Sequence, residues 1–192
     1  MIAAAKTNIA CELLLLLALA TLWGASYTFI KIGVETIPPI TLIAARTLIA
    51  AAILLAVIGW RGLSLPRDAA TWRRLLFQAC LNSVLPFTLI AWAERTIDAG
   101  VAAILNSTTP IFAFLLTALI TRHEAVTTRK FVGVVAGLTG TSLVIGLEAF
   151  RGIGDQLAAQ IAVVIATVCY AGAAIFGKGF KDLDRSSPPP DR

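Results

Sequence analysis

The sequence is poor in the side chains that carry chemistry. It holds a single histidine, His123, beside Glu124 in a short basic stretch, and no cluster of carboxylates. The three cysteines, Cys11, Cys80 and Cys169, lie in different apolar stretches with no CxxC spacing. They read as small buried hydrophobes, neither a metal site nor a disulfide framework. Nothing here assembles a nucleophile with a base or a set of metal ligands, so neither an enzyme nor a bound cofactor or metal is expected. Charge is also scarce, at 14% of residues, against about a quarter in a soluble domain. No Asp or Glu lies near the middle of an apolar run. Glu12, Glu94, Glu124 and Glu148 sit at run edges, so no group stands out as a site for proton coupling.

What fills the sequence is hydrocarbon. Of its 192 residues 58% are hydrophobic, and the mean hydropathy is +0.85. No soluble core of this size could hide so much apolar surface, so the lipid bilayer is the expected solvent. The formal charge of +5 is not a nucleic-acid signal, because the basic residues cluster between the apolar runs.

Six runs of about the length that spans a bilayer can be drawn: Leu13–Ile32, Ile40–Gly59, Leu75–Trp92, Gly100–Ile120, Phe131–Leu147 and Leu157–Gly177. Lys6 followed by Leu13–Leu17 has the form of a signal peptide, but apolar character continues through Trp23 and Phe29 to Ile32, which makes it a span. With six crossings, twelve basic residues fall on the side of the termini, and Lys31, Arg95 and Arg151 fall on the other. That split predicts a multi-pass protein of the cell membrane with both termini cytoplasmic.

Two runs are interrupted alike. Asn82-Ser83-Val84-Leu85-Pro86 and Asn106-Ser107-Thr108-Thr109-Pro110 share the pattern Asn-Ser-x-x-Pro. Proline lacks an N–H, so Pro86 and Pro110 each deprive the Asn carbonyl four residues earlier of its helical partner. In hydrocarbon such a group must be satisfied by side chains, water or a ligand. Either the broken segments line a solute path, or they are packing kinks whose hydroxyls bond back to their own helix.

Trp23, Tyr27 and Lys31 stack on one face of the first helix. The two aromatics either face the bundle or anchor at the interface. Ala20 and Gly24 beside them form a small-xxx-small pair that permits close helix approach. Arg46 lies about two turns into the second run, where it must snorkel, pair or face water. The functional reading is a fixed positive charge at the outer mouth of the path, with Glu35, Glu94 and Asp98 on the correct side to pair with it. Gly133, Gly137 and Gly140 in the fifth run form a GxxxG stripe, suited to a homodimer or to packing within the chain.

The sixth run echoes the first. Trp23-Gly-Ala-Ser-Tyr-Thr-Phe-Ile-Lys31 aligns with Tyr170-Ala-Gly-Ala-Ala-Ile-Phe-Gly-Lys178. Five helices separate the two starts, so the second copy enters from the opposite side, as in an inverted repeat. The expected architecture is all-α and polytopic. One five-helix repeat covers residues 9–147, the first helix of an inverted second repeat covers 154–184, and a disordered polar tail covers 185–192.

The chain resembles the EamA-type members of the drug/metabolite transporter superfamily. The resemblance rests on Leu22 to Lys31, Pro38-Pro39, Ala44-Ala45-Arg46, Ala102 to Pro110 with Phe112, Glu124, the three glycines of the fifth run, and Gly154-Asp155. It implies two inverted five-helix repeats around a central cavity, and alternating-access movement of small metabolites, amino acids or drugs. By position it implies that Trp23, Arg46 and the 106–110 segment border that cavity. The family pattern carries two full repeats, and this chain carries one repeat and one helix. A partner supplying the second half, a homodimer, or a non-transporting truncated fragment or assembly partner are the readings that this departure opens.

Overall fold

The ends of the helices are set by a few residues. The computed structural model describes residues 9–121, 128–145 and 156–182. The expectations placed on Lys6, His123, Glu124, Leu147, Gly154, Asp155 and the tail 185–192 lie outside them.

Helix α1 runs Ile9–Val34 and α2 runs Pro39–Trp60. Pro38 is extended (φ −56°, ψ 138°) and Pro39 opens α2 where a missing N–H costs nothing. At its other end Gly62 takes φ 64°. Gly62 N–H donates to Gly59 O (3.1 Å) and Leu63 N–H to Ile58 O (3.0 Å), the paired bonds of a Schellman stop. Asp68 then caps α3, Ala69–Ala79, by accepting from Thr71 N–H at 2.7 Å.

The third run continues through a π-helical turn, Cys80–Val84, into α4, Leu85–Ala93. The fourth is α5, Ala99–Asn106, and α6, Thr109–Thr121, separated by a turn at 107–108. Helix α7 spans Thr128–Ile145, and α8 spans Leu157–Gly177 with a 3-10 turn, Lys178–Asp182, after it. No strand occurs among the described residues.

Five stretches are long and apolar enough to cross a membrane: Ile9–Val34, Pro39–Trp60, Ala69–Ala93, Ala99–Leu119 and Leu157–Phe180. The expected fifth run forms α7 but is not among them, because Thr128, Arg129 and Lys130 take up its first turn within a described length of 18 residues.

The bundle is centred on α8, which packs against α4, α5, α6 and the π turn. Ala159, Ala162, Ala166 and Ala173 lie at or near zero exposure, and their small side chains let the neighbouring helices close in. Helix α1 packs on α2, α4 and α5 through Tyr27, Ile30 and Val34, while Leu13–Leu17 stay exposed on its outer side. At Gly24, Gly133, Gly137 and Gly140 an added Cβ would meet nothing within 4 Å.

Candidate functional site

The two Asn-Ser-x-x-Pro segments take different local geometries. In the third span the helix widens by one residue, and Leu85 N–H reaches back five positions to Cys80 O. Proline-adjacent π turns of this kind keep a helix continuous while shifting the face that its side chains present. In the fourth span the helix tightens into a turn at 107–108, where Ser107 N–H reaches Ile104 O and Thr108 N–H reaches Leu105 O, both at 3.1 Å. Three hydroxyls donate there as well: Ser107 Oγ to Ile104 O (2.6 Å), Thr108 Oγ1 to Leu105 O (2.6 Å) and Thr109 Oγ1 to Asn106 O (2.7 Å). The carbonyl that Pro110 leaves without its helical partner is thus satisfied by Thr109, one residue away. The back-bonding expected of a packing kink is present.

The amide side chains of these segments have another arrangement. Asn82, Asn106 and Thr109 line one cavity of about 390 Å³ together with Trp23, Gln78 and Tyr170, and Ala173, Ala174 and Gly177 of α8 complete its wall. That volume lies in the range of small-molecule sites. Four spans contribute, and no lining residue carries a formal charge. Gln78 Oε1 and Asn106 Oδ1 are buried and have no hydrogen-bond donor among the described residues. Buried acceptors are normally paired, and these two unpaired oxygens belong to residues that line the same cavity. Trp23 and Tyr170, the paired aromatics of the repeated motif, face this same cavity.

Among the expected site residues, Trp23, Asn82, Asn106 and Thr109 meet in the cavity. Tyr27 is buried in the core beside Ala93 and Ile97 and does not line it. Pro86 is fully buried. Ser107, Thr108 and Pro110 shape the break without lining the cavity. Arg46 sits next door, its guanidinium 4.2 Å over the Phe87 ring, a cation–π contact. The Phe87 ring packs edge-on against Tyr170, with centroids 6.1 Å apart. A groove of about 210 Å³ shared by Trp23, Ser26, Arg46 and Phe87 adjoins the cavity at Trp23. In the structure Arg46 thus contacts an aromatic face; Glu35, Glu94 and Asp98 were the acids placed on its side of the membrane.

A family profile, the EamA-like transporter family, matches residues 11–146. The chain belongs to the EamA-like transporter family. Several of its relatives are transporters by name. The uncharacterized inner membrane transporter YedA of Escherichia coli is 29% identical over 164 residues, 84% of this chain and 51% of the relative. The uncharacterized transporter YoaV of Bacillus subtilis is 22% identical over 170 residues, 88% of this chain and 58% of the relative. An uncharacterized transporter of Archaeoglobus fulgidus is 34% identical over 133 residues, 68% of this chain and 45% of the relative. This EamA-like chain thus spans about half the length of the curated relatives it matches. No solved structure matches it. With its several apolar helices, it is a multi-pass cell-membrane protein of a transporter family.

Three contributors escaped the sequence reading. Gln78 stands four residues before Asn82 inside an apolar run, a neutral amide on the same helical face, and that spacing was a usable signal. Tyr170 was visible only as the counterpart of Trp23. Glu94 was placed at a run edge, yet it is fully buried. It lies one residue beyond the third span, and burial pushes its carboxyl up to about 8 against the opposing pull of Lys31.

Proposed function

We propose that this chain builds one wall of a carrier that moves small solutes across the cell membrane by alternating access, with the 390 Å³ cavity on the solute path. The observation that carries this reading is the convergence of amide and aromatic side chains from four spans on one uncharged cavity, with two carbonyl oxygens left for outside donors. The irregular turns of the third and fourth spans place Asn82, Asn106 and Thr109 on the cavity, as discontinuous helices do at the site of an inverted-repeat carrier. Arg46, one aromatic ring away, supplies a fixed positive charge at the border of the path. The charge split supports cytoplasmic termini, and the space around Gly133 suits a second copy or a separate second half.

The test is uptake by membrane vesicles that contain the chain, profiled against a mixture of isotope-labelled metabolites. Asn106→Leu and Gln78→Leu should each cut uptake of any carried solute at least tenfold while the protein still inserts. Arg46→Ala should lower it less, since Arg46 borders the cavity without lining it. Uptake unchanged in both amide variants would remove the cavity from the path.

A further inference from the structure

The far end of the third span holds a buried acid that the solute path does not use. Glu94 has 0% exposure, and neither carboxyl oxygen has a hydrogen-bond partner among the described residues. Lys31 on α1 reaches the same point but does not hydrogen-bond the carboxyl. Its Nζ donates to the backbone carbonyls of Glu94 (2.7 Å) and Ile97 (3.0 Å). These are carbonyls left over where α4 ends and the chain turns into α5, so the ammonium straps α1 to a helix C-terminus.

The surroundings offer the acid little else. From α1 come Lys31 and, one turn away, the buried phenol of Tyr27. Its own turn adds Arg95 and Asp98, both exposed. The cluster around Ala93 and Ile97 is otherwise Val101 and Ala102 of α5 and Ala159, Ala162 and Val163 of α8, with Tyr170 further along. From α2, Arg46 is engaged with Phe87. An ionised carboxylate without a donor is strongly disfavoured in such a place, and a bound proton removes the charge.

We infer that Glu94 is a proton-binding site, filled while the Lys31 ammonium straps the two carbonyls and emptied when that ammonium turns onto the carboxylate. On release the carboxyl O–H bond breaks, the proton passes to water, and Lys31 stays an ammonium throughout. It exchanges carbonyl hydrogen bonds for a charge-assisted pair, which is the stronger kind. Proton occupancy and the α1–α4 strap are thereby one equilibrium. The site needs no solute to operate, so it stands whether or not the cavity is a transport path.

The test uses the full chain in lipid nanodiscs. Infrared spectra across pH should show a carboxylic-acid C=O band that persists at neutral pH and disappears with a midpoint of about 8. Glu94→Gln should lack it. Lys31→Met should move the midpoint higher, because the cation that favours the carboxylate is gone. Spin labels at Thr36 and Arg95, with Cys11, Cys80 and Cys169 replaced by alanine, should report a distance change over the same pH interval that Glu94→Gln abolishes. Titration only in the ordinary carboxylate range would overturn the proton site, and this result comes from the unmodified chain. A midpoint unmoved by Lys31→Met, or a distance independent of pH, would overturn its coupling to the strap.

Discussion

The third and fourth spans carry the same five-residue pattern and break in different ways. In both, a proline strips the partner from an asparagine carbonyl four residues earlier. The third span responds with a π turn and stays one helix. The fourth separates into α5 and α6. The difference follows from the two positions between Ser and Pro. They are Thr108 and Thr109 in the fourth span, and Val84 and Leu85 in the third. The Thr109 hydroxyl supplies the donor that Pro110 lacks, to Asn106 O at 2.7 Å, while Thr108 Oγ1 adds to the backbone bond already on Leu105 O. Valine and leucine side chains have nothing to donate, and the third span instead takes up a π turn in which Leu85 N–H reaches Cys80 O. A full break in hydrocarbon therefore requires local hydroxyls, whereas a bulge does not. The outcome is shared all the same, because Asn82 and Asn106 both end on one cavity.

That account can be broken most sharply at Thr109. Thr109→Val keeps the shape and removes the donor to Asn106 O. The fold should lose of order 1 kcal/mol, measured as the midpoint of unfolding by a denaturing detergent in mixed micelles. Adding Pro110→Ala should return most of that loss, since the introduced alanine regains an N–H for the same carbonyl. A double-mutant cycle reads this as a coupling of about 0.5 kcal/mol or more. Independent effects would mean that the Asn106 carbonyl is satisfied by something else. At the matching position of the third span, Leu85→Thr should change stability by only a few tenths of a kcal/mol, because the π turn already settles the backbone there. A large loss or gain at Leu85 would show that the hydroxyls do not decide between the two geometries.

Much of this was legible from residues alone. The apolar runs gave the helices within a few positions, as with Leu157–Gly177, and Leu13–Ile32 for α1. The pairing of Asn82 with Asn106 was visible as a repeated pattern, and Trp23 as part of a stripe. Three things were not. A proline predicts a lost hydrogen bond but not its replacement, which depends on whether neighbours such as Thr109 can reach the carbonyl. Arg46 looked for a carboxylate because charge is read one residue at a time, while its contact with Phe87 depends on how α2 meets α4. Glu94 was read as an edge residue able to pair with Arg46, and nothing in its own helix announces that α1 and its neighbours bury it.

The comparison also reaches the repeated motif of α1 and α8. Phe176 is packed edge-on between Phe77 (4.9 Å) and Phe180 (5.6 Å), whereas its counterpart Phe29 is 71% exposed. Matching residues of the two stretches thus occupy different surroundings, while Trp23 and Tyr170 meet on one cavity.

The central claim is that the two breaks open one water-reachable cavity within the membrane span. It is tested most directly by single cysteines, Asn82→Cys and Asn106→Cys, on a background with Cys11, Cys80 and Cys169 replaced by alanine. Membrane vesicles are exposed to a charged, water-soluble thiol reagent, with Leu54→Cys on the exposed middle of α2 as the control that faces lipid. Both cavity positions should react at least tenfold faster than the control, and filling the cavity wall by Ala173→Phe should slow both together. Reaction at neither position, or at only one of the two, would contradict a shared cavity.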